Sequence, residues 1–199
     1  MSKLPLTALL LLLAACGPAA FEAGLPPGEL RAEANGITVT AGNFRVERLH
    51  FVADICFERP SVADWLLGDQ TLLTYGTESV RVREMGLLDP TTEIDSPTRC
   101  DAVRFPVGTD EIIEFQLVIP FLQTSYPTHD CATAQARLDE AHSGIEISCY
   151  SEVLENGGMG GYRIEAKPDN LPDEEANAWI YQAFVDRVDG SWIFEGIVE

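Results

Sequence analysis

The sequence of 199 residues is poor in lysine, and this scarcity excludes one class of partner. Lys3 and Lys167 are its only lysines, and 13 basic residues in all stand against 32 acidic ones, for a formal net charge of −19. Proteins that bind nucleic acids neutralise the backbone phosphates with clustered lysine and arginine side chains. The composition therefore predicts that no nucleic acid binds, while 46% hydrophobic residues predict a folded globular chain.

The sequence also lacks an apolar run long enough to cross a membrane. Residues 8–15 are unbroken apolar sequence, whereas a transmembrane helix needs about 20 such residues. One basic residue, Lys3, precedes the run. A short apolar block behind a positive charge is typical of a signal peptide, so we expect residues 1–15 to direct export and to be removed.

Leu13, Ala14 and Ala15 end the apolar block and lie directly before Cys16. A leucine and two small residues ahead of a cysteine closely resemble the lipobox of bacterial lipoproteins. The resemblance implies cleavage before Cys16 and a diacylglyceryl lipid on its thiol, which is the nucleophile that takes the lipid. Residues 16–35, rich in glycine, proline and alanine, are then predicted to form a tether between the membrane and the folded part.

The resemblance also implies a partner and a location. The partner is a membrane, bound through the lipid, and the location is the bacterial cell envelope. Within the envelope, the resemblance places the chain on the outer face of the cytoplasmic membrane or on the outer membrane. Gly17, directly after the cysteine, resembles the residue at this position in lipoproteins that are sent to the outer membrane. Two alternatives stay open: an ordinary secretory signal followed by a buried cysteine, or an apolar N-terminus retained in the cytosol.

Four cysteines remain once Cys16 is assigned to the lipid, and they are Cys56, Cys100, Cys131 and Cys149. An even number of cysteines in an exported chain predicts two disulfides. Three pairings are possible, and we favour Cys131–Cys149, which ties the start of a predicted helix to the next strand. That choice leaves Cys56–Cys100. The alternative is a zinc site, which is disfavoured because no CxxC pair occurs.

Apolar and polar residues alternate along much of the chain from Ile37 onward, as they do in strands. Strands are predicted at residues 49–57, 71–75, 80–85, 102–107 and 112–121. A phase slip at Glu47–Arg48 predicts a bulge or a bend, and residues 61–68 predict a turn or a short helical piece. Several strands without intervening helices favour a mainly β fold, an antiparallel immunoglobulin-like β-sandwich in architecture alone.

The last third of the chain, from about residue 130 to residue 199, is predicted to add α/β elements to this sandwich. Alanine-rich sequence predicts one helix over residues 132–142. Pro172 and the acids of residues 173–175 predict the first turn of a second helix, and residues 191–198 a closing strand. We therefore expect a single domain over residues 36–199, with two C-terminal helices as decoration.

The motifs that identify common catalytic sites are missing. Gly-x-Ser-x-Gly is absent, and the glycine-rich residues 157–161 lack the Lys-Ser/Thr that follows a phosphate-binding loop. We interpret His50 as a strand residue and His129 as a loop residue rather than half of a triad or metal site. We interpret His142 as a residue near a helix C-terminus, where the helix dipole favours a proton on its ring. The sequence thus predicts no catalytic residue, no metal site and no cofactor, although 32 carboxylates leave weak divalent cation binding open.

These observations favour a lipoprotein that is not an enzyme and that acts as a binding or interaction module. The alternative is an extracytoplasmic hydrolase, because paired carboxylates meet in space rather than in sequence. The acidity itself is also consistent with a solvated surface suited to a salty habitat. That adaptation is compatible with either function.

Overall fold

The computed structural model of the chain describes residues 28–89, 96–109, 111, 114–151 and 160–198. Cys16 and the predicted signal peptide lie outside these residues. In chain order the elements are β1 (Leu30–Ala34), β2 (Ile37–Glu47), β3 (His50–Glu58), β4 (Trp65–Leu67), β5 (Leu72–Tyr75), β6 (Glu78–Arg81), β7 (Glu84–Leu87), β8 (Thr98–Pro106), β9 (Glu114–Thr124), α1 (Cys131–Ala141), β10 (Glu146–Ser151), β11 (Gly160–Ala166), α2 (Asp173–Phe184) and β12 (Arg187–Ile197).

Ten of these strands form two antiparallel sheets that face each other, so the predicted β-sandwich is confirmed. The first sheet has the order β1-β2-β3-β8-β7. The second has the order β12-β9-β5-β6, and β4 also pairs with β9. Every recorded strand pair is antiparallel.

The core of the sandwich lies between the inner faces of the two sheets. As the alternation predicts, one face of β9 is buried, with Leu117 and Ile119 fully inaccessible to solvent. Trp192 of β12 is equally buried, and its indole Nε1–H donates to the carbonyl of Ile37 at 3.0 Å. That bond satisfies the one polar atom of the side chain, so the tryptophan adds apolar area without an unpaired donor.

The first strand of the sandwich lies inside the segment predicted to be a tether, residues 16–35. Leu30–Ala34 form β1, which pairs with β2 along its whole length, so the folded part begins at least as early as Leu30. Asn35 and Gly36 join the two strands with φ of 51° and 75°. This is the Asn-Gly turn that matches the twist of a β-hairpin, and it fixes the register that places Leu30, Ala32 and Ala34 against the core.

Three local predictions are wrong in detail. The phase slip at Glu47–Arg48 is neither a bulge nor a bend but a hairpin turn, in which Arg48 and Leu49 both adopt positive φ. The single strand predicted over residues 80–85 is two strands, β6 in the second sheet and β7 in the first. The turn or helical piece predicted over residues 61–68 contains the strand β4, because Trp65 and Leu67 are needed in the core.

The α/β portion is an insertion between β9 and β12 rather than the C-terminal third of the chain. The two helices and the β10–β11 hairpin surround a separate small core, which contains Leu138, Ile145 and Ile180. β12, by contrast, belongs to the sandwich, where it pairs with β9 as an end strand of the second sheet. The prediction of α/β decoration over residues 130–199 is therefore corrected to the segment that ends at the start of β12.

Local sequence explains where both helices begin. Asp130 caps α1, because its carboxylate accepts a hydrogen bond from the backbone N–H of Thr133 at 2.8 Å. That bond lowers the pKa of Asp130 below its usual value. α2 follows Pro172 and has three acidic residues in its first turn, as predicted, where the positive end of the helix dipole favours them.

Two disulfides connect the cysteines in the pairing favoured from the sequence. Cys56–Cys100 joins directly opposite residues of β3 and β8, with the Cα atoms 4.0 Å apart. Cys131–Cys149 joins the first residue of α1 to β10 across 6.0 Å. Two disulfides indicate an oxidising, extracytoplasmic compartment. Within the described ranges, no helix is both long and apolar enough to cross a membrane.

A charged network lies at one end of the sandwich core. Arg99 and Asp101 point inward from β8, and Arg99 Nε lies 2.8 Å from Asp101 Oδ2. The same guanidinium pairs with Asp64, whose other carboxylate oxygen accepts from the hydroxyl of Ser125 at 2.7 Å. Arg99 and Asp101 are 7% and 1% exposed, so their charges are balanced inside the protein.

Gly68 permits the close approach of the loop after β4 to β9. A Cβ at this buried residue would lie 2.5 Å from the ring of Phe121, and the Gly68 N–H donates to the Phe121 carbonyl. We expect Gly68→Ala to lower the free energy of unfolding by about 1–3 kcal/mol, because the ring is itself buried and must shift. Urea unfolding measures this loss. Gly86→Ala, in β7 with open space around it, is the control and should cost much less.

Candidate functional site

A groove lies where the insertion meets the sandwich, between α1, α2 and the beginning of β12. Its volume is about 260 Å³. The C-terminal half of each helix contributes to it, and small or aliphatic residues (Leu138, Ala141 and Ala183) form part of its lining. The polar and aromatic side chains that line it are Arg137, His142, Trp179, Gln182, Arg187 and Asp189.

Helical spacing brings these side chains together. On α1, Arg137 and Ala141 are four residues apart, as are Leu138 and His142, so all four lie on one side of the helix. On α2, Gln182 and Ala183 follow Trp179 by three and four residues, so they lie on the same side of that helix as Trp179. The two helices contact each other through the insertion core, and this contact brings their polar residues to a common groove.

One wall of the groove is a pair of stacked rings. The imidazole of His142 lies parallel to the indole of Trp179, with the ring centroids 3.9 Å apart and the planes 8° apart. Both side chains are half-buried. The backbone N–H of His142 donates to the carbonyl of Leu138 at 2.7 Å, and His142 is the C-cap of α1.

Arg187 forms a second wall and its charge is neutralised. Its guanidinium carbon lies 3.7 Å from the centroid of the Phe121 ring. Its Nη2 and the Oδ1 of Asp189 are 2.6 Å apart. The two residues are two positions apart in a strand and therefore share a face. A guanidinium that lies on an aromatic ring and forms an ion pair is fixed in position.

Arg137 also lines the groove, and it has no carboxylate partner among the described residues. Its Nη1 donates to the backbone carbonyl of Val185 at 3.0 Å, which is a neutral acceptor. In the part of the chain that the structure describes, Arg137 forms no ion pair, although Asp139 and Glu140 follow it in α1. In a chain with 32 acidic residues, this positive charge is left available to a ligand.

The three histidines do not meet in one site. His50 Nδ1 contacts the Arg48 carbonyl in the β2–β3 turn at 3.0 Å. His129 Nε2 lies 2.9 Å from Asp186 Oδ1, and the Asp186 N–H reaches the hydroxyls of Thr124 and Thr128. These contacts join the end of β9 to the segment before β12, and His129 lies in a loop, as predicted. The stacking of His142 on Trp179 was not predicted.

A second, larger concavity of about 460 Å³ lies beside the paired strands β5, β9 and β12. Glu114 and Glu195 line it, and Gln116 donates to a carboxylate oxygen of Glu195 at 2.7 Å. Both glutamates are exposed. Among the described residues no three His, Cys, Asp or Glu side chains are grouped as metal ligands.

The groove is not among the features predicted from the sequence. The residue that could have indicated it is Arg137, the one basic residue of α1. Residues 157–159 of the glycine-rich segment 157–161 lie outside the described residues. No protein-family model matches the chain, and no curated protein or solved structure is found to be similar to it.

Proposed function

We propose that the mature chain is a cell-envelope lipoprotein, held on a membrane by lipid on Cys16, that binds a ligand and catalyses no reaction. The lipobox residues before Cys16 support the anchor, and two disulfides are compatible with export. Two acyl chains suffice for stable anchoring, since each buried methylene contributes about 0.8 kcal/mol. After loss of Lys3 the chain keeps 12 basic and 32 acidic residues, so anionic headgroups repel the domain.

The observation that supports a binding role is the unneutralised Arg137 in a groove with an aromatic wall. Ligand sites combine apolar walls with few polar groups that fix orientation. Catalysis needs in addition a nucleophile, or an acid and a base, in contact with a reacting atom. The groove offers a cation without a counter-charge, two stacked rings and one carboxylate, Asp189, that is already paired with Arg187, and this set suits recognition.

We expect Cys16→Ala to abolish incorporation of labelled palmitate into the chain expressed in a bacterial host. The reason is that the lipid is attached to this thiol and the mature N-terminus is formed by cleavage before it. The measurement is labelling together with intact mass. Gly17→Ala, which leaves the thiol and its three preceding residues unchanged, is the matched control and should be labelled. A wild-type chain that takes up no label, or a labelled Cys16→Ala variant, contradicts the anchor.

The second candidate function is an extracytoplasmic hydrolase. The observation that favours it is the pair of glutamates, Glu114 and Glu195, in the larger concavity. Both are exposed to water, and a general acid usually needs burial to keep its proton near neutral pH. This function would be preferred to binding if the chain showed a hydrolytic activity that Glu195→Gln removed.

A further inference from the structure

We propose that the groove between α1, α2 and β12 binds a small organic anion, a monocarboxylate on a flat apolar body. The inference rests on the proposed binding function and names its ligand class. Arg137 supplies the recognition of the carboxylate, and the stacked His142 and Trp179 rings supply the surface for the apolar body. Trp179 also packs against the small core of the insertion, and Arg137 donates to the Val185 carbonyl, so both side chains are held in place at the groove.

The charge argument concerns the two arginines of the groove. Arg187 pairs with Asp189 and lies on the Phe121 ring, so its charge has a partner within the protein. Arg137 donates only to the Val185 carbonyl among the described residues, so most donors of its guanidinium fork remain available. A guanidinium prefers a carboxylate or a phosphate, because its paired N–H groups match two oxygens at once.

The net charge of the groove decides between these two anions. Arg187 and Asp189, which both line it, neutralise each other, so Arg137 is its charged side chain without a counter-charge among the described residues. A phosphate near neutral pH carries up to two negative charges, whereas a carboxylate carries one. One unbalanced positive charge matches the single negative charge of a carboxylate, so the groove favours the monocarboxylate.

The size and the wall of the groove define the rest of the ligand. A volume of about 260 Å³ holds roughly nine groups of the size of a water molecule, which occupies about 30 Å³ in the liquid. Benzoate has a size of this order. Its ring can pack against the half-buried His142–Trp179 pair, since aromatic rings attract one another in stacked or edge-to-face contact.

The experiment titrates the folded chain with benzoate and follows the indole N–H resonance of Trp179 by NMR. Trp65 and Trp192 are buried in the sandwich and serve as internal references. Saturable binding of benzoate is expected, with weaker binding of benzamide, which lacks the charge, and of acetate, which lacks the ring. Inorganic phosphate that binds more tightly than benzoate would show that the ligand class is wrong.

Variants locate the bound ligand. Arg137→Gln should weaken benzoate binding by roughly tenfold or more, because a charged hydrogen bond is lost, while Arg137→Lys keeps the charge and should lose less. Arg163→Gln, the same change at an exposed arginine of β11, should bind as the wild type does. Absence of benzoate binding to the wild type, or equal binding by folded Arg137→Gln, overturns the proposal. Palmitate labelling of Cys16 is scored independently, so a failed ligand class and a failed anchor remain distinguishable.

Discussion

Replacing Arg99 by methionine is expected to lower the free energy of unfolding by about 3–5 kcal/mol, the cost of leaving a buried charge without its partner. Asp101 is almost inaccessible to solvent, and Arg99 is the cation bonded to it. No hydrogen-bond partner for Asp101 Oδ1 is found among the described residues, so the carboxylate depends on the Arg99 bond to its other oxygen. Urea unfolding at neutral pH measures the change.

The double variant Arg99→Met/Asp101→Leu separates the charge effect from a packing effect. It removes both inward charges from β8, and Asp64 keeps its bond from Ser125. We expect it to recover most of the lost stability, because apolar replacements of a buried ion pair are often neutral or better. Arg45→Met at the exposed Arg45–Glu47 pair should barely move the urea midpoint. An Arg99→Met chain as stable as the wild type would contradict the assigned role.

This network also shows how far the fold could be predicted from the sequence. The alternation of β9 and the acidic first turn of α2 after Pro172 could be predicted because local residues determine them. The strand at Thr98–Pro106 was predicted only from residue 102. Its first inward positions hold Arg99 and Asp101, and charged residues on the buried face hide the alternation. Their burial depends on Asp64, 35 positions earlier in the chain.

The candidate site was less predictable than the fold for a related reason. Trp179 and Ala183 share a helix face, and that much follows from spacing. The stack of His142 on Trp179 joins residues 37 positions apart, through the contact of two helices. Arg187 has a carboxylate partner and Arg137 has a carbonyl partner, and this difference depends on which groups lie near each guanidinium in space. No pattern within one element contains that information.

The double variant Cys56→Ala/Cys100→Ala is expected to lose about 4 kcal/mol of unfolding free energy, and Cys131→Ala/Cys149→Ala about 3 kcal/mol, from the entropy of closing each loop. The closed loops span 44 and 18 positions. Both losses act through the unfolded chain, because each bridge limits the conformations that it can explore. Urea unfolding of the oxidised wild type and of both variants measures them.

Removal of the two disulfides should destabilise different parts of the chain. β3 and β8 pair over nine residues around Cys56 and Cys100, so the strands stay in register without the bridge and the whole domain loses stability together. Cys131 and Cys149 both lie in the insertion, whose small core is separate from that of the sandwich. Their loss should therefore increase hydrogen exchange in α1 and α2 more than in β9. Equal acceleration in β9 would mean that insertion and sandwich unfold as one unit, and unchanged exchange would mean that this bridge does not stabilise the insertion.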